Sequence, residues 1–512
     1  MAVWNFVVRG VYHDSVTLMR VSRDLEAVEG VSGAAVMMGT PQNRALMRQA
    51  GLLAADGEAA GPGDLVIAVI AADEGGAERA RAAAAGALAP ARVADGGGGL
   101  VTRPRTLGSA IAMLPGANLA LISVPGMYAG AEAWKALRAG LHVMVFSDHV
   151  PVETEVALKR YAAERSLLMM GPDCGTALID GVPLGFANAV PHGRIGLAAA
   201  SGTGLQEVMS LIAAEGEGVS QAIGLGGRDL SDAVGGLMLT QALAALAEDP
   251  ATEVIGIIGK PPGATVAGRI AQEAGRLGKP CVVHLMGVPP APHLSWHSAA
   301  TLEDAARAAV ALARGTRPRA ADFTLPAGDI EALVETGVRA LAPAQRYVRG
   351  VYAGGTLAWE AVGLLAALLP DVTPGVAGGG AGHRVVDLGE DVFTVGRPHP
   401  MIDGGVRREW IEREGRDPAT AVLLLDVILG YGAHPDPAGE ILPTLDAVRR
   451  ERAVAVVASV CGTDGDIQDR RRQTAALAAH GVCVMPSNAQ AARLAARLAA
   501  RMAARVGGGS RP

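Results

Sequence analysis

Residues 194–208 read Arg-Ile-Gly-Leu-Ala-Ala-Ala-Ser-Gly-Thr-Gly-Leu-Gln-Glu-Val. The apolar run between Gly193 and Ser201 has the character of a buried parallel strand. It breaks on Ser201, Gly202, Thr203 and Gly204, and a helical pattern restarts at Leu205. A Ser or Thr in such a break caps the helix, and glycines let backbone N–H groups approach a ligand closely. A helix N-terminus opened in this way attracts anions, phosphate above all. Alone the turn is a weak signal, because many strand-to-helix turns are glycine-rich and bind nothing.

The rest of the chain sets that turn in a repeated frame. At 512 residues, three or four domains of ordinary size are expected. Half of the residues are hydrophobic but only 3% are aromatic, so the cores must be built from Ala, Val, Leu and Ile. No apolar run approaches the ~20 residues of a membrane span. The opening residues lack a charged n-region and a small-residue cleavage site, so no signal peptide is expected and the location expected is cytoplasmic. A net charge of −6, spread along the chain, argues against nucleic acid as a partner. Cys174, Cys281, Cys461 and Cys483 lie far apart with no CxxC pair, which points to reduced, buried thiols and to no metal site.

Strand and helix signals alternate throughout, the pattern of right-handed crossovers and parallel sheets. The expected blocks are 1–95, 96–190, 191–325 and 345–506, with linkers over Ala89–Gly99 and residues 314–328. Open sheets of this kind place ligands in the loops after strand C-termini. Four such loops are rich in glycine and small polar residues: Gly171–Thr176, Gly224–Asp229, Gly430–Asp436 and Cys461–Asp464. Any one of them is a tight turn; their recurrence at strand ends points to a shared cleft.

These motifs carry a resemblance. The run 194–208, Gly224–Gly227, Val254–Gly259 and Gly278–Val283 resembles, in order and spacing, the second domain of the succinyl-CoA synthetase α subunit. Upstream, Ile122–Pro125, Ser147–Pro151 and Gly171–Cys174 look like its CoA-binding domain. Downstream, Leu423–Gly439 and Gly462–Asp464 are similar to the carboxy-terminal domain of the β subunit. The narrowest resemblance is to the FdrA family, which fuses these parts, through Asp14–Met19, Met38–Asn43 and Gly396–Asp403. The fold implied is α/β: several Rossmann- and flavodoxin-like parallel-sheet domains, succinyl-CoA synthetase-like, with an α/β N-terminal extension.

Two departures bear on mechanism. In the synthetases a histidine in a Gly-His-Ala-Gly-Ala context carries the phosphoryl group; here the matching region holds His293 and His297 without flanking glycines, and both read as ordinary polar loop histidines. There is also no room for a nucleotide-binding ATP-grasp domain between Val190 and Arg349. What the resemblance leaves is a pair of helix N-termini, matched here to Ser201–Gly204 and to Gly430, Tyr431 and Gly432, that would stabilise an acyl phosphate. The family connection implies one subunit of an oxamate carbamoyltransferase in allantoin breakdown, with carbamoyl phosphate as the acyl phosphate.

The remaining candidates have competing readings. Arg397 offers a planar fork for a carboxylate, His399 a general acid/base or a donor to an oxyanion, and Asp403 an orienting group. Against this stands a structural Arg–Asp pair stapling the loop, with His399 a satisfied hydrogen-bonder. Pro125, Gly126, Asp173, Cys174, Gly226 and Gly227 mark a substrate or CoA-type pocket, although a turn or cap role is the simpler reading for Asp173 and for Asn188. Lys260 sits where the synthetase pattern has a carboxylate; it suits an anionic ligand or is a surface lysine. Three functions follow: a transferase subunit using an acyl phosphate, an acyl-CoA synthetase component that needs a nucleotide-binding partner and binds CoA, or a non-catalytic scaffold. The expected partners are a small anionic substrate and co-encoded subunits, with a homo-oligomer compatible and neither nucleic acid nor membrane.

Overall fold

The computed structural model describes residues 2–13, 15–89, 104–288, 296–375, 382–394 and 397–507. Asp14, the Gly96–Gly99 run, His293, Gly396 and the tail after Gly507 lie outside the described residues. The chain divides into two compact units, Met1–Arg103 with Glu390–Asp403, and Pro104–Gly389 with Gly404–Pro512.

The first unit is built on β1 (Ala2–Val8), β2 (Val31–Met38) and β3 (Leu65–Ala71), in the order β1-β3-β2. Strand–helix alternation here does not give a parallel sheet. The crossover through the helix Ser15–Glu26 leaves a gap between β1 and β2, and β3 fills it antiparallel to both. Leu18, Leu25, Val36, Ile67 and Val69 form the core between this split β-α-β sheet and its helices.

The second unit carries three sheets. β4 (Leu119–Ile122), β5 (His142–Val145) and β6 (Met169–Met170) make a small parallel sheet in sequence order. Next come β7 (Thr176–Ile179), β8 (Val182–Gly185), β9 (His192–Ala200), β10 (Val219–Gly224), β11 (Val254–Gly259), β12 (Cys281–Leu285) and β13 (His297–Ser298). They form a seven-stranded sheet in the order β13-β12-β11-β9-β10-β7-β8. The third sheet holds β14 (Tyr347–Tyr352), β15 (Val372–Pro374), β16 (His383–Asp387), β17 (Thr420–Ile428), β18 (Ala455–Cys461) and β19 (Cys483–Met485), ordered β15-β16-β14-β17-β18-β19 and parallel throughout. All nine residues of β17 are buried, as a strand covered on both faces requires.

The β7–β8 hairpin was not expected within its block. Its two-residue loop, Asp180-Gly181, has positive φ at both positions (47° and 76°), the geometry that Asp-Gly favours. His297, expected in a loop, pairs with Val282 on a short edge strand, and burial lowers its pKa.

Candidate functional site: two joined helix ends

Counted from β9, the seven-stranded sheet contains the order β10-β9-β11-β12-β13; counted from β14, the six-stranded sheet contains β16-β14-β17-β18-β19. Both are the 2-1-3-4-5 arrangement, in which the switch point lies beside the first strand. The loops leaving β9 and β14 therefore occupy the two positions where such sheets present their ligand-facing turns.

After β9, Ser201 is extended and its Oγ accepts the N–H of Gly204 at 3.0 Å, capping the helix Gly202–Ala214. After β14, the helix Gly355–Ala366 starts from Gly354 with no side-chain cap. Its entry turn is held one step earlier by Asp426 of β17, which accepts the N–H of Ala353 at 2.9 Å and of Gly354 at 2.7 Å. Arg407 pairs with the Asp426 carboxylate at 2.9 Å, and both side chains are buried. Burial pushes the Asp426 carboxyl up, while Arg407 and the two N–H donors hold it back.

The two helix ends touch. Ser201 Oγ and Thr356 Oγ1 are 2.5 Å apart. A Cβ on Gly204 would lie 2.9 Å from Thr356 Cγ2, and one on Gly354 would lie 3.2 Å from Thr203 Cβ. Each N-terminus carries roughly half a positive charge. Among the described residues, the backbone N–H groups of Gly202, Thr203, Gly355 and Thr356 donate no hydrogen bond, and the Asp387 carboxylate of β16 borders the second helix end, 2.5 Å from where a Cβ on Gly355 would lie. Two positive ends in contact, with open donors, favour an anion between them.

The second helix end is not the expected one. The resemblance pairs Gly430, Tyr431 and Gly432 with Ser201–Gly204, but the loop after β17 continues to Asp436, which caps the helix Pro437–Glu451. The backbone of Gly430 is taken up by Gln468, with N–H to Oε1 at 3.2 Å and Nε2 to the carbonyl at 2.9 Å. The N–H of Tyr431 donates to Ala187 at 3.0 Å. These groups bind protein, and the helix end that meets Ser201–Gly204 is the one at Gly354, Gly355 and Thr356. The loop nevertheless borders the first helix: Gln206 Nε2 donates to the carbonyls of Leu429 (3.1 Å) and Phe186 (2.5 Å). Asn188, buried, ties Leu429 at 3.1 Å to Asp466 at 2.9 Å; it is a cross-loop brace rather than a turn or cap.

The loops predicted to form a CoA-type pocket are also brought together. A Cβ on Gly126 would lie 2.0 Å from the carbonyl of Asp148, one on Gly226 2.4 Å from that of Pro172, and one on Gly227 2.5 Å from Asp173 Oδ2. These glycines therefore serve loop-on-loop packing. Pro125 precedes the helix Gly126–Arg138, which has no side-chain cap, and Met127 and Tyr128 beside it are exposed. Beneath the loops, the fully buried Lys159 pairs with Glu155 (2.9 Å) and Asp229 (2.8 Å). Cys174 is buried in the core, as expected of a reduced thiol, and burial pushes it up to about 12. Lys260 is exposed at the end of β11.

Arg397, His399 and Asp403 belong to the first unit, whereas the joined helix ends belong to the second. Arg397 is exposed, and Asp403 is buried in an ion pair with Arg23 of the helix Ser15–Glu26. An Arg–Asp staple thus exists, with Arg23 as the arginine. His399 Nδ1 accepts the N–H of Met401 at 3.2 Å, and burial lowers the ring to about 4, so it is neutral at pH 7 with its proton on Nε2. It can donate a hydrogen bond there; it is not an acid poised near neutrality.

Comparison with known proteins agrees with this division. The family model described as CoA-ligase matches residues 351–498, the region of the six-stranded sheet, and that described as AllF, heavy metal-associated domain, matches residues 1–103. Soft heavy-metal ions favour thiolate ligands, and all four cysteines lie at 174 or beyond, outside the first unit, so its residues do not fit such an ion. The Escherichia coli (strain K12) protein YahF is 38% identical over 97% of this chain and 98% of its own length. A Staphylococcus epidermidis succinate–CoA ligase [ADP-forming] subunit alpha is 30% identical over 34% of this chain and 57% of that protein. Among solved structures, an acetyl-coenzyme A synthetase 1 of Ca. Korarchaeum cryptofilum aligns over 77% of this chain and 85% of its own, at 16% identity and a TM-score of 0.29. No helix among the described residues is long and apolar enough to cross a membrane.

Proposed function

The chain belongs to the family of the Escherichia coli protein YahF, and on that footing we propose that its second unit binds an acyl phosphate at the joined helix ends and transfers the acyl group. The carrying observation is the contact of Ser201 and Thr203 with Thr356 and Gly354, which sets two positive helix ends and their open N–H groups against each other. Transfer from an acyl phosphate needs orientation and stabilisation of developing negative charge more than a covalent carrier. The sequence lacks the glycine-flanked histidine that carries phosphate in the synthetases it resembles. Carbamoyl phosphate, with oxamate as partner substrate, is the pair that the FdrA-like motifs favour, and co-encoded subunits would complete the enzyme in the cytoplasm.

A second reading is a CoA-ligase-like component that receives its phosphoryl chemistry from a nucleotide-binding partner. The matching CoA-ligase family model favours it. So does the uncapped N-terminus at Gly126, whose N–H groups would take a CoA pyrophosphate while exposed Met127 and Tyr128 offer apolar surface. Bound CoA would supply the acyl-accepting thiol.

Assays of the full chain, alone and with its co-encoded neighbours, separate the two. Phosphate release from carbamoyl phosphate in the presence of oxamate, lost in Thr203→Val and Thr356→Val, is the expected result. ATP- and CoA-dependent thioester formation, without phosphate release from carbamoyl phosphate, overturns the first reading in favour of the second.

A further inference from the structure

Glu207 and Glu360 are each the sixth residue of the two helices that meet, Gly202–Ala214 and Gly355–Ala366. Both carboxylates are buried. Each reaches across to the last helix of the opposite half. Glu207 Oε1 accepts the N–H of Asn488, at the start of the helix Asn488–Gly507, at 3.0 Å. Glu360 Oε1 accepts the N–H of Leu302, at the start of the helix Leu302–Ala313, at 2.8 Å. Asn488 Nδ2 joins the pair by donating to Glu360 Oε2 at 2.8 Å.

Four helix N-termini therefore lie in one buried layer. Two are met by the chain's own carboxylates, and two, at Gly202 and at Gly355 beside Asp387, have N–H groups that donate no hydrogen bond among the described residues. The groups facing Glu207 are the Cys461 thiol of β18, Glu360, and Arg470 at the start of the helix Arg470–Ala479. Those facing Glu360 include Asn488, Arg493 of the last helix and Asp304 of the helix Leu302–Ala313. Tyr352, with Asp426 and Arg407 beyond it, closes the layer from β14. At ~1.5 Å rise per residue, these sixth residues stand about 7.5 Å along the axis from the first, so their carboxylates lie within two turns of a dianion bound at the open ends. In a dry layer that adds like charge to like, which protonating one carboxyl relieves.

We propose that Glu207 and Glu360 are reciprocal positioning residues, each setting the opposite half so that the two open helix ends meet, and that the pair takes up a proton when an anion fills those ends. The positioning stands on the reciprocal caps alone; the proton uptake rests on the reading under Proposed function. Burial, the larger cause, already raises Glu360 and pushes Glu207 up to about 7, so Glu207 is the group expected to take the proton.

Sulfate is the probe, because it stays a dianion from pH 6 to 8 and any proton taken up goes to the protein. Calorimetry of sulfate binding to the full chain, in buffers of different ionisation heat, should show proton uptake above pH 7. Affinity should fall up to about tenfold per pH unit there. Glu207→Gln keeps an acceptor for the Asn488 N–H and should bind sulfate with neither proton uptake nor that pH dependence, whereas Glu207→Ala should lose affinity at every pH. Sulfate binding without proton uptake overturns the coupling and leaves the site standing. Wild-type affinity in Glu207→Ala and Glu360→Ala overturns the positioning role. No binding of either sulfate or carbamoyl phosphate overturns the site and the coupling together.

Discussion

Asp426 accepts the backbone N–H of Gly354 at 2.7 Å, so a side chain from β17 shapes the turn that leaves β14. The same carboxylate neutralises buried Arg407. Removing it strands a guanidinium in the core and frees the turn that sets the second helix end. Asp426→Ala is expected to cost about 3–5 kcal/mol, the usual loss on breaking a buried pair from one side. Denaturant unfolding measures it, and a loss below about 1 kcal/mol would show the turn to be held by other contacts.

Two glycines of the joined helices should respond with opposite sign. On Gly204 a Cβ would meet Ser201 Oγ at 2.5 Å and Thr356 Cγ2 at 2.9 Å, while on Gly363 it meets nothing within 4 Å. Gly363→Ala should stabilise by about 0.4–1 kcal/mol through helix propensity and unfolded-state entropy. Gly204→Ala should destabilise by about 1–3 kcal/mol through overpacking, and should lower carbamoyl phosphate affinity as the helix ends move apart.

Stability should fall as pH rises through the acidic range. Glu207 titrates near 4.5 when unfolded and at about 7 when folded, so between these values the native state holds more protons than the unfolded one. The associated stability is present below pH 4.5, is lost on the way to pH 7, and falls at most ~1.4 kcal/mol per pH unit. Glu207→Gln should flatten this part of the profile. An unchanged slope would place the titration elsewhere.

The first unit should behave in the opposite sense. The His399 ring is lowered from 6.5 to about 4, so the unfolded chain binds the extra proton between those values and stability is lost as pH falls from 6.5 to 4. Proton NMR should show a His399 resonance that does not titrate above pH 5. His399→Gln, which can still accept the Met401 N–H, should reduce the acid sensitivity of this unit.

Most of the parallel strands were legible because the signal is local: mainly apolar runs, as at 195–200 and 422–427, need no knowledge of their neighbours. The Asp180-Gly181 hairpin is equally local, but it lies inside a block whose strand–helix alternation predicts parallel strands alone. Across the cleft, reading failed for a different reason. Gly430–Gly432 is the more conspicuous glycine turn, but Gln468, 36 to 38 residues further on, occupies the backbone of Gly430. The turn that does meet Ser201 carried a quieter sign, a Gly-Thr pair at the first two helical positions, Gly355-Thr356 matching Gly202-Thr203. The Asp403 staple was foreseen as a type of contact, but its partner, Arg23, lies 380 residues away, beyond any spacing argument.

The first unit is assembled from two stretches of chain, and the second contributes the residues on either side of Glu390–Asp403. The polypeptide consequently crosses between the units three times, after residues 103, 389 and 403. A single protease cut after Arg103 would sever residues 1–103 from the Glu390–Asp403 stretch that completes their unit. A cut after residue 389 would leave each of the two pieces with part of both units, and a cut after residue 403 would keep the first unit whole on one piece. An excised fragment of residues 1–103 would lack the carboxylate that Arg23 binds. Dissecting this protein after Arg103 therefore yields an incomplete first unit, and an intact one requires grafting residues 390–403 back onto it.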